Sequence, residues 1–173
     1  MRSDEELMSA VARGDEAALA MLIGRHAPRL RAYLHRHSGN SEDADDLLQE
    51  TWGRVARSAR RFDPTRRFRS WLYGIATNLA RDLFRRRATR EGALRELAMQ
   101  PRVEPEVGPI DSSKLHERIS RLPERMRAVL ILRYFEGMNE TEMAEVLRIP
   151  RGTVKSRLHT ALCELRSEYE VLA

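Results

Sequence analysis

The chain of 173 residues is 42% hydrophobic and 33% charged, with a formal net charge of +5. That length suits one ordinary domain or two small ones, and the regular recurrence of Leu, Ile and Val excludes a disordered chain. Cys163 is the only cysteine, which excludes an intrachain disulfide, and no segment approaches the ~20 apolar residues a membrane span needs. The opening residues MRSDEEL are acidic and lack the apolar core of a secretion signal, so an intracellular, cytoplasmic protein without membrane insertion is expected.

Helical periodicity dominates and turn signals are sparse, so the expected fold class is all-α. Residues 4–12 read as a short helix with Leu7, Met8 and Val11 on one face. Gly14-Asp15 interrupts it, and Asp15 is placed to cap a second helix that runs to about residue 35, which Pro28 is expected to kink or split. After the turn Ser38-Gly39-Asn40-Ser41, a third helix presents Ala44, Leu47, Leu48, Thr51, Val55 and Ala59 to the core and Asp46, Gln49, Glu50 and Gly53 elsewhere. A basic loop from Arg60 to Arg67 turns at Asp63-Pro64, because proline lacks an amide donor and biases the preceding residue away from helix. The next helix is expected to bury Phe68, Leu72, Ile75, Ala76, Leu79 and Leu83, leaving Trp71, Tyr73, Thr77, Asn78 and Arg81 on its flank or outside.

Residues 89–113 change character, with Pro101, Pro105, Gly108 and Pro109 as punctuation, and read as a flexible linker with a possible helical start over 85–99. A second small helical domain is expected over 114–173. Pro123 suits a first helical turn, Met126, Val129, Leu130, Leu132 and Tyr134 follow on the helix, and Gly137 stops it. Asn139 with Glu142 three residues on has the form of a capping box, and Met143, Ala144 and Leu147 face inward. Arg148-Ile149-Pro150 turns the chain into a last helix burying Val154, Leu158, Ala161, Leu162 and Leu165. Helix, short turn and longer helix with a polar outer face make a helix-turn-helix.

Charge is uneven. Gly53 to Arg90 holds twelve arginines against Asp63 and Asp82, a local +10 in a chain whose total is +5. A stripe of this kind, with Phe62, Phe68, Trp71 and Tyr73 interleaved, points to a polyanion held at one place, as on single-strand-binding surfaces. On the last helix Lys155, Ser156 and His159 share an outward face suited to base edges, while Arg151, Arg157 and the helix start suit phosphates. Asp46, Gln49 and Glu50 form a face that avoids phosphate and suits a basic protein surface. The bland reading of each set is a solvated helix face.

The runs D-x-x-D-L-x-Q-E-x-(aromatic), F-D-P-x-x-x-F-x-x-W-L-x-x-I-A-x-N-x-x-x-D and R-R-R, within residues 43–87, resemble region 2 of the extracytoplasmic-function (ECF) sigma factors of bacterial RNA polymerase. G-T-V-K-S-R-L, at Gly152 to Leu158, resembles the recognition helix of their region 4. The resemblance covers residues 5–87 and 122–166. It implies that region 2 spans 1–88 and region 4 spans 114–173. It implies that Asp46, Leu47, Gln49 and Glu50 dock on core RNA polymerase, at the clamp helices of β′, with β as a further partner. It assigns Arg60, Arg61, Phe62, Arg66, Arg67, Trp71 and Asn78 to the non-template strand of the −10 promoter element, and Arg151, Thr153, Lys155, Ser156, Arg157 and His159 to the −35 element. An anti-sigma factor wedged between the two domains is also implied.

Some positions stay open on the residues alone. Asn78 reads either as a polar contact to a flipped base or as a solvent-facing helical asparagine. Trp71 reads as a stacking surface or as core. His159 and Cys163, four apart, make at best two metal ligands, and Cys163 reads better as a small inward hydrophobe. No motif of an enzyme is present and no cofactor is expected. A stand-alone helix-turn-helix repressor accounts for 122–166 but leaves the D-L-L-Q-E face and the arginine loop unexplained, and a basic RNA-binding adaptor needs no helix-turn-helix.

Overall fold

The computed structural model describes residues 2–95, 118, 119 and 121–170, with side chains through Arg90 and, after the gap, through Arg166. The expected linker therefore lies mostly outside the described residues. Among those described the chain is helical, without strands: α1 (Asp4–Val11), α2 (Glu16–Ser38), α3 (Ser41–Ser58), α4 (Phe68–Arg95), α5 (Glu124–Leu130), α6 (Glu140–Leu147) and α7 (Arg151–Glu170).

Local chemistry sets the boundaries. Ser3 and Glu6 close a capping box on α1, and Asp15 and Asn40 accept from the third amide of α2 and α3. Gly39, at φ +83°, ends α2 in the left-handed conformation that glycine adopts without steric cost. Pro28 does not split α2, which runs through it. In the second domain the helix begins after Pro123, but beyond Leu130 the backbone widens into a π-turn over Ile131–Phe135. Tyr134, within that turn, is 60% exposed.

Helices α1 to α4 pack around Leu7, Leu22, Tyr33, Leu34, Ala44, Val55, Phe68 and Leu72. Helices α5 to α7 bury Val129, Leu132, Met143, Val146 and Val154, and these join the same apolar cluster. The two domains are thus closed on each other, with α6 lying along α4 and α5 meeting the end of α2. Gly74 of α4 sits under α6, where an added Cβ would stand 3.6 Å from the Val146 carbonyl. Tyr73 and Thr77 are buried, contrary to the flank position the periodicity predicted: Tyr73 reaches Glu136 of the second domain, and Thr77 meets Tyr33 of α2. The Thr77 hydroxyl donates to the Tyr73 carbonyl (2.6 Å) and lies 2.7 Å from the Tyr33 hydroxyl.

Candidate nucleic-acid and polymerase interfaces

On α3 the side chains of Asp46, Gln49 and Glu50 are exposed together. Glu50 accepts from Arg54 (3.1 Å) and Arg57 (3.0 Å) on the next turns, so the carboxylate is held on the helix surface. Leu47 is not on that surface. It is buried in the core, as the apolar period requires, and reaches only the wall of a cleft between α3 and α4. Asp43, Asp46, Glu50, Asp82 and Arg86 line this cleft together with Leu47, Leu79 and Leu83. Trp52 is buried too, with its indole nitrogen unpaired.

The basic loop begins with a 3₁₀ turn, Ala59–Arg61, and then folds on Asp63. The Asp63 carboxylate accepts from the Thr65 hydroxyl (2.7 Å) and amide (2.9 Å), and the Arg66 amide donates to its carbonyl (3.0 Å). Those two bonds from Thr65 hold the Asp63 carboxyl below its usual range. The turn leaves Arg60, Arg61, Arg66 and Arg67 exposed.

The aromatics do not share that exposure. Phe62 is buried, its ring 5.1 Å from that of Trp71 and 5.9 Å from Phe68, edge to face with the latter. Phe68 and Tyr73 are buried as well, and Trp71 is half-buried. The interleaving that suggested a row of stacking platforms is a small aromatic core under the loop. Phe62 in particular is spent on packing in this structure, and the loop offers charge where bases would also need flat faces. Asn78 is half-buried on α4, seven residues and so about two turns after Trp71, on the same side of the helix.

In the second domain Asn139 caps α6 with Glu142 returning the bond, as the sequence indicates. Arg148 ends α6 at φ +54°, a left-handed position uncommon for a side-chain-bearing residue, and α7 starts three residues later. Arg151, Lys155, Ser156 and His159 are exposed on α7, and Thr153 and Arg157 are half-buried. The Arg151 guanidinium and the Lys155 ammonium each lie 3.6 Å from the same Glu140 carboxylate oxygen, across the helix-turn-helix. Leu162 is largely exposed, contrary to expectation. So is Cys163, whose sulfur sits 3.7 Å from the His159 ring. Among the described residues no cluster of three or more metal-ligating side chains occurs.

Sequence reading missed the carboxylates that close the two domains. Glu136, after the π-turn, is buried and accepts from the Tyr73 hydroxyl (2.6 Å) and Arg29 (3.0 Å), with Arg69 at 3.5 Å. Burial and this bond to a carboxylate push the Tyr73 phenol well above its usual range. Glu142 accepts from Arg67 (2.7 Å) and Glu145 from Arg66 (2.8 Å), so α6 lies on the basic loop. Beneath α5, His37 is fully buried with both ring nitrogens unpaired. Burial, then the guanidinium groups of Arg127 and Arg81, push its imidazole down to about 3, and a Glu124 oxygen 3.7 Å away does not offset them. The only hint in the sequence was the local +10 of residues 53–90 beside a second domain rich in glutamate.

A helical module with an acidic face and a basic loop, joined to a helix-turn-helix, is the architecture of an RNA polymerase sigma factor. Residues 22–90 match the family Sigma-70 region 2, and residues 112–165 match Sigma-70, region 4. The chain is 31% identical to the ECF RNA polymerase sigma factor SigW of Bacillus subtilis (strain 168), over 91% of this chain and 92% of that one. It is 37% identical to the ECF sigma factor SigE of Mycolicibacterium smegmatis, over 95% of this chain and 68% of that one. The solved structure of CnrH in complex with the cytosolic domain of CnrY shares the fold with a TM-score of 0.75, at 27% identity over 98% of this chain and 99% of that one. This chain belongs to the ECF family of RNA polymerase sigma factors. It is a promoter-selecting initiation factor rather than a stand-alone repressor, and the relatives it matches are transcription factors rather than enzymes. No described helix is long and apolar enough to cross a membrane.

Proposed function

We propose that the sigma activity is divided as follows, with residues 1–88 and 114–173 as the two working domains. The exposed Asp46, Gln49 and Glu50 face docks on core polymerase. The loop Arg60, Arg61, Arg66 and Arg67 grips phosphates of the opened −10 strand, and Asn78 with the exposed edge of Trp71 contacts its bases. Arg151 and Arg157 hold −35 phosphates while Lys155, Ser156 and His159 read base edges, with Thr153 at the mouth of the groove. An anti-sigma factor is a further partner, a reading supported by the CnrH relative having been solved with a bound protein chain. The protein works in the cytoplasm.

The observation that carries this reading is the segregation of charge: an acidic helix face and a four-arginine loop stand on one small module, each exposed. Opening a base pair costs a few kcal/mol, so phosphate contacts at the loop and base contacts beside it must offset it together. The test is transcription by purified core polymerase on promoter-library templates, with and without this protein. Discrete, sequence-dependent start sites are expected only when it is added. Asn78→Ala is expected to reduce open complexes about tenfold with upstream binding retained, and Lys155→Ala to relax the −35 preference by about 1–3 kcal/mol. Binding of duplex DNA without any effect on core polymerase overturns the assignment.

A further inference from the structure

Helices α1, α2 and α3 take their caps from Ser3, Asp15 and Asn40, each standing immediately before its helix. Helix α4 has no such residue. It begins Arg66-Arg67-Phe68-Arg69, with no acid in its first turn. The Trp71 amide donates to the Arg67 carbonyl (3.2 Å), which puts Arg67 at the capping position. A guanidinium offers no acceptor to the free amides of a helix start, and cations stand badly at the positive end of the helix dipole. The acceptor comes instead from α1. The Phe68 amide donates to a Glu5 carboxylate oxygen (3.0 Å) across 63 residues of sequence. Helix α1 lies against the 3₁₀ turn that opens the basic loop and against α4, which closes it. It is itself anchored on α2, where Asp4 accepts from Arg25 (2.8 Å) and lies 2.7 Å from His26. The His26 ring meets the Phe68 ring edge to face at 5.4 Å. Phe68 is thus held at its amide by α1 and at its ring by α2, while Arg66 and Arg67 just before it stay exposed.

We infer that Glu5 is a positioning residue for strand capture: its carboxylate fixes the first turn of α4, and with it the placement of Arg66, Arg67 and Trp71 against the opened strand. The inference rests on the reading of that loop as the −10 strand site. Two demands conflict at this place, because a helix start needs an acceptor and a phosphate backbone needs cations. An aspartate at position 67 would meet the first demand and repel the strand. Glu5 meets it from another helix, so position 67 keeps its arginine. The role is one of reach rather than of charge. Loss of a capping bond lowers the population of an ordered first turn by typically about fivefold. A purely electrostatic effect has the opposite sign, because removing an acid tightens the binding of a polyanion.

The test uses the full chain and a fluorescein-labelled single-stranded oligonucleotide of mixed sequence, read by anisotropy at low salt. Glu5→Ala removes the acceptor. Glu5→Asp keeps the charge but draws it back by one methylene, and Glu5→Gln keeps an acceptor oxygen within reach without the charge. Asp15→Ala removes a capping carboxylate of the same charge from α2 and is the control for lost stability. Glu5→Ala and Glu5→Asp are expected to bind roughly three- to tenfold more weakly than wild type, with Glu5→Gln about as tight as wild type and Asp15→Ala no weaker. Circular dichroism reports folding, and Glu5→Asp decides the matter if Glu5→Ala does not fold. Binding by Glu5→Asp as tight as wild type, a Glu5→Gln chain as weak as Glu5→Asp, or an equal loss from Asp15→Ala overturns the positioning role alone. Arg66→Ala with Arg67→Ala binding as tightly as wild type overturns the strand assignment of the loop, and the role of Glu5 with it.

Discussion

The seam between the two domains has a buried centre and an exposed rim, and the two hold by different means. At the centre, Glu136 carries its charge into a nearly inaccessible place and is matched there by the Tyr73 hydroxyl and two guanidinium groups. At the rim, Arg66 and Arg67 meet Glu145 and Glu142 in solvent. A buried carboxylate stripped of partners is costly, whereas an exposed pair trades protein contacts for water at almost no loss. The centre therefore weighs more in whether the domains close than the rim does.

Substitution at the centre gives the largest expected effect. Glu136→Ala strands the buried Tyr73 hydroxyl and is expected to cost about 3 kcal/mol, seen as a lower melting temperature and a larger radius of gyration. Next comes pH. The closed structure keeps His37 neutral, with its imidazole pushed down to about 3 from an ordinary 6.5. A state in which His37 meets water binds a proton more readily below pH 6.5, so closure is fully favoured above that value and weakens as pH falls, levelling off only near 3. Tyr33 of α2, Arg81 and Phe84 of α4, and Glu124 and Arg127 of α5 surround the ring. About 2 kcal/mol is expected to be lost by pH 5, and His37→Leu should flatten the melting temperature between pH 7 and pH 5. Tyr73→Phe, which leaves both guanidinium groups on Glu136, is expected to cost about 1.5 kcal/mol by denaturant titration. At the rim, Arg66→Ala should change stability by less than about 1 kcal/mol, and 0.5 M salt should erase even that difference. A rim effect as large as that of Glu136→Ala would dissolve the distinction.

Most of the helices were legible because their signals are local. Asp15, Asn40 and the Asn139–Glu142 box mark helix starts within four residues of sequence, and Leu22, Val55 and Leu72 repeat at helical spacing. The exposed arginines and the acidic face of α3 were legible for the same reason. What was not legible depended on the partner domain. Tyr73 looks like a flank residue until Glu136 meets it. Glu136, Glu142 and Glu145 look like a solvated surface, because nothing in a sequence says which distant arginine a glutamate meets. Phe62 misled in the opposite direction: an aromatic beside arginines suggests stacking on bases, but Phe68 and Trp71 supply a closer apolar surface. The π-turn at 131–135 changes the helical period by one residue without any breaker to announce it.

The glutamates at 124, 136, 142 and 145 all belong to the second domain, and the arginines they meet all belong to the first. The two halves are thus fitted to each other by charge as well as by their shared apolar cluster. A hybrid that kept residues 1–88 and took its helix-turn-helix from a relative lacking those carboxylates would lose these ion pairs and keep only the apolar contact between its halves. Parts that can be exchanged for their DNA preference are not, for that reason, exchangeable for their fit.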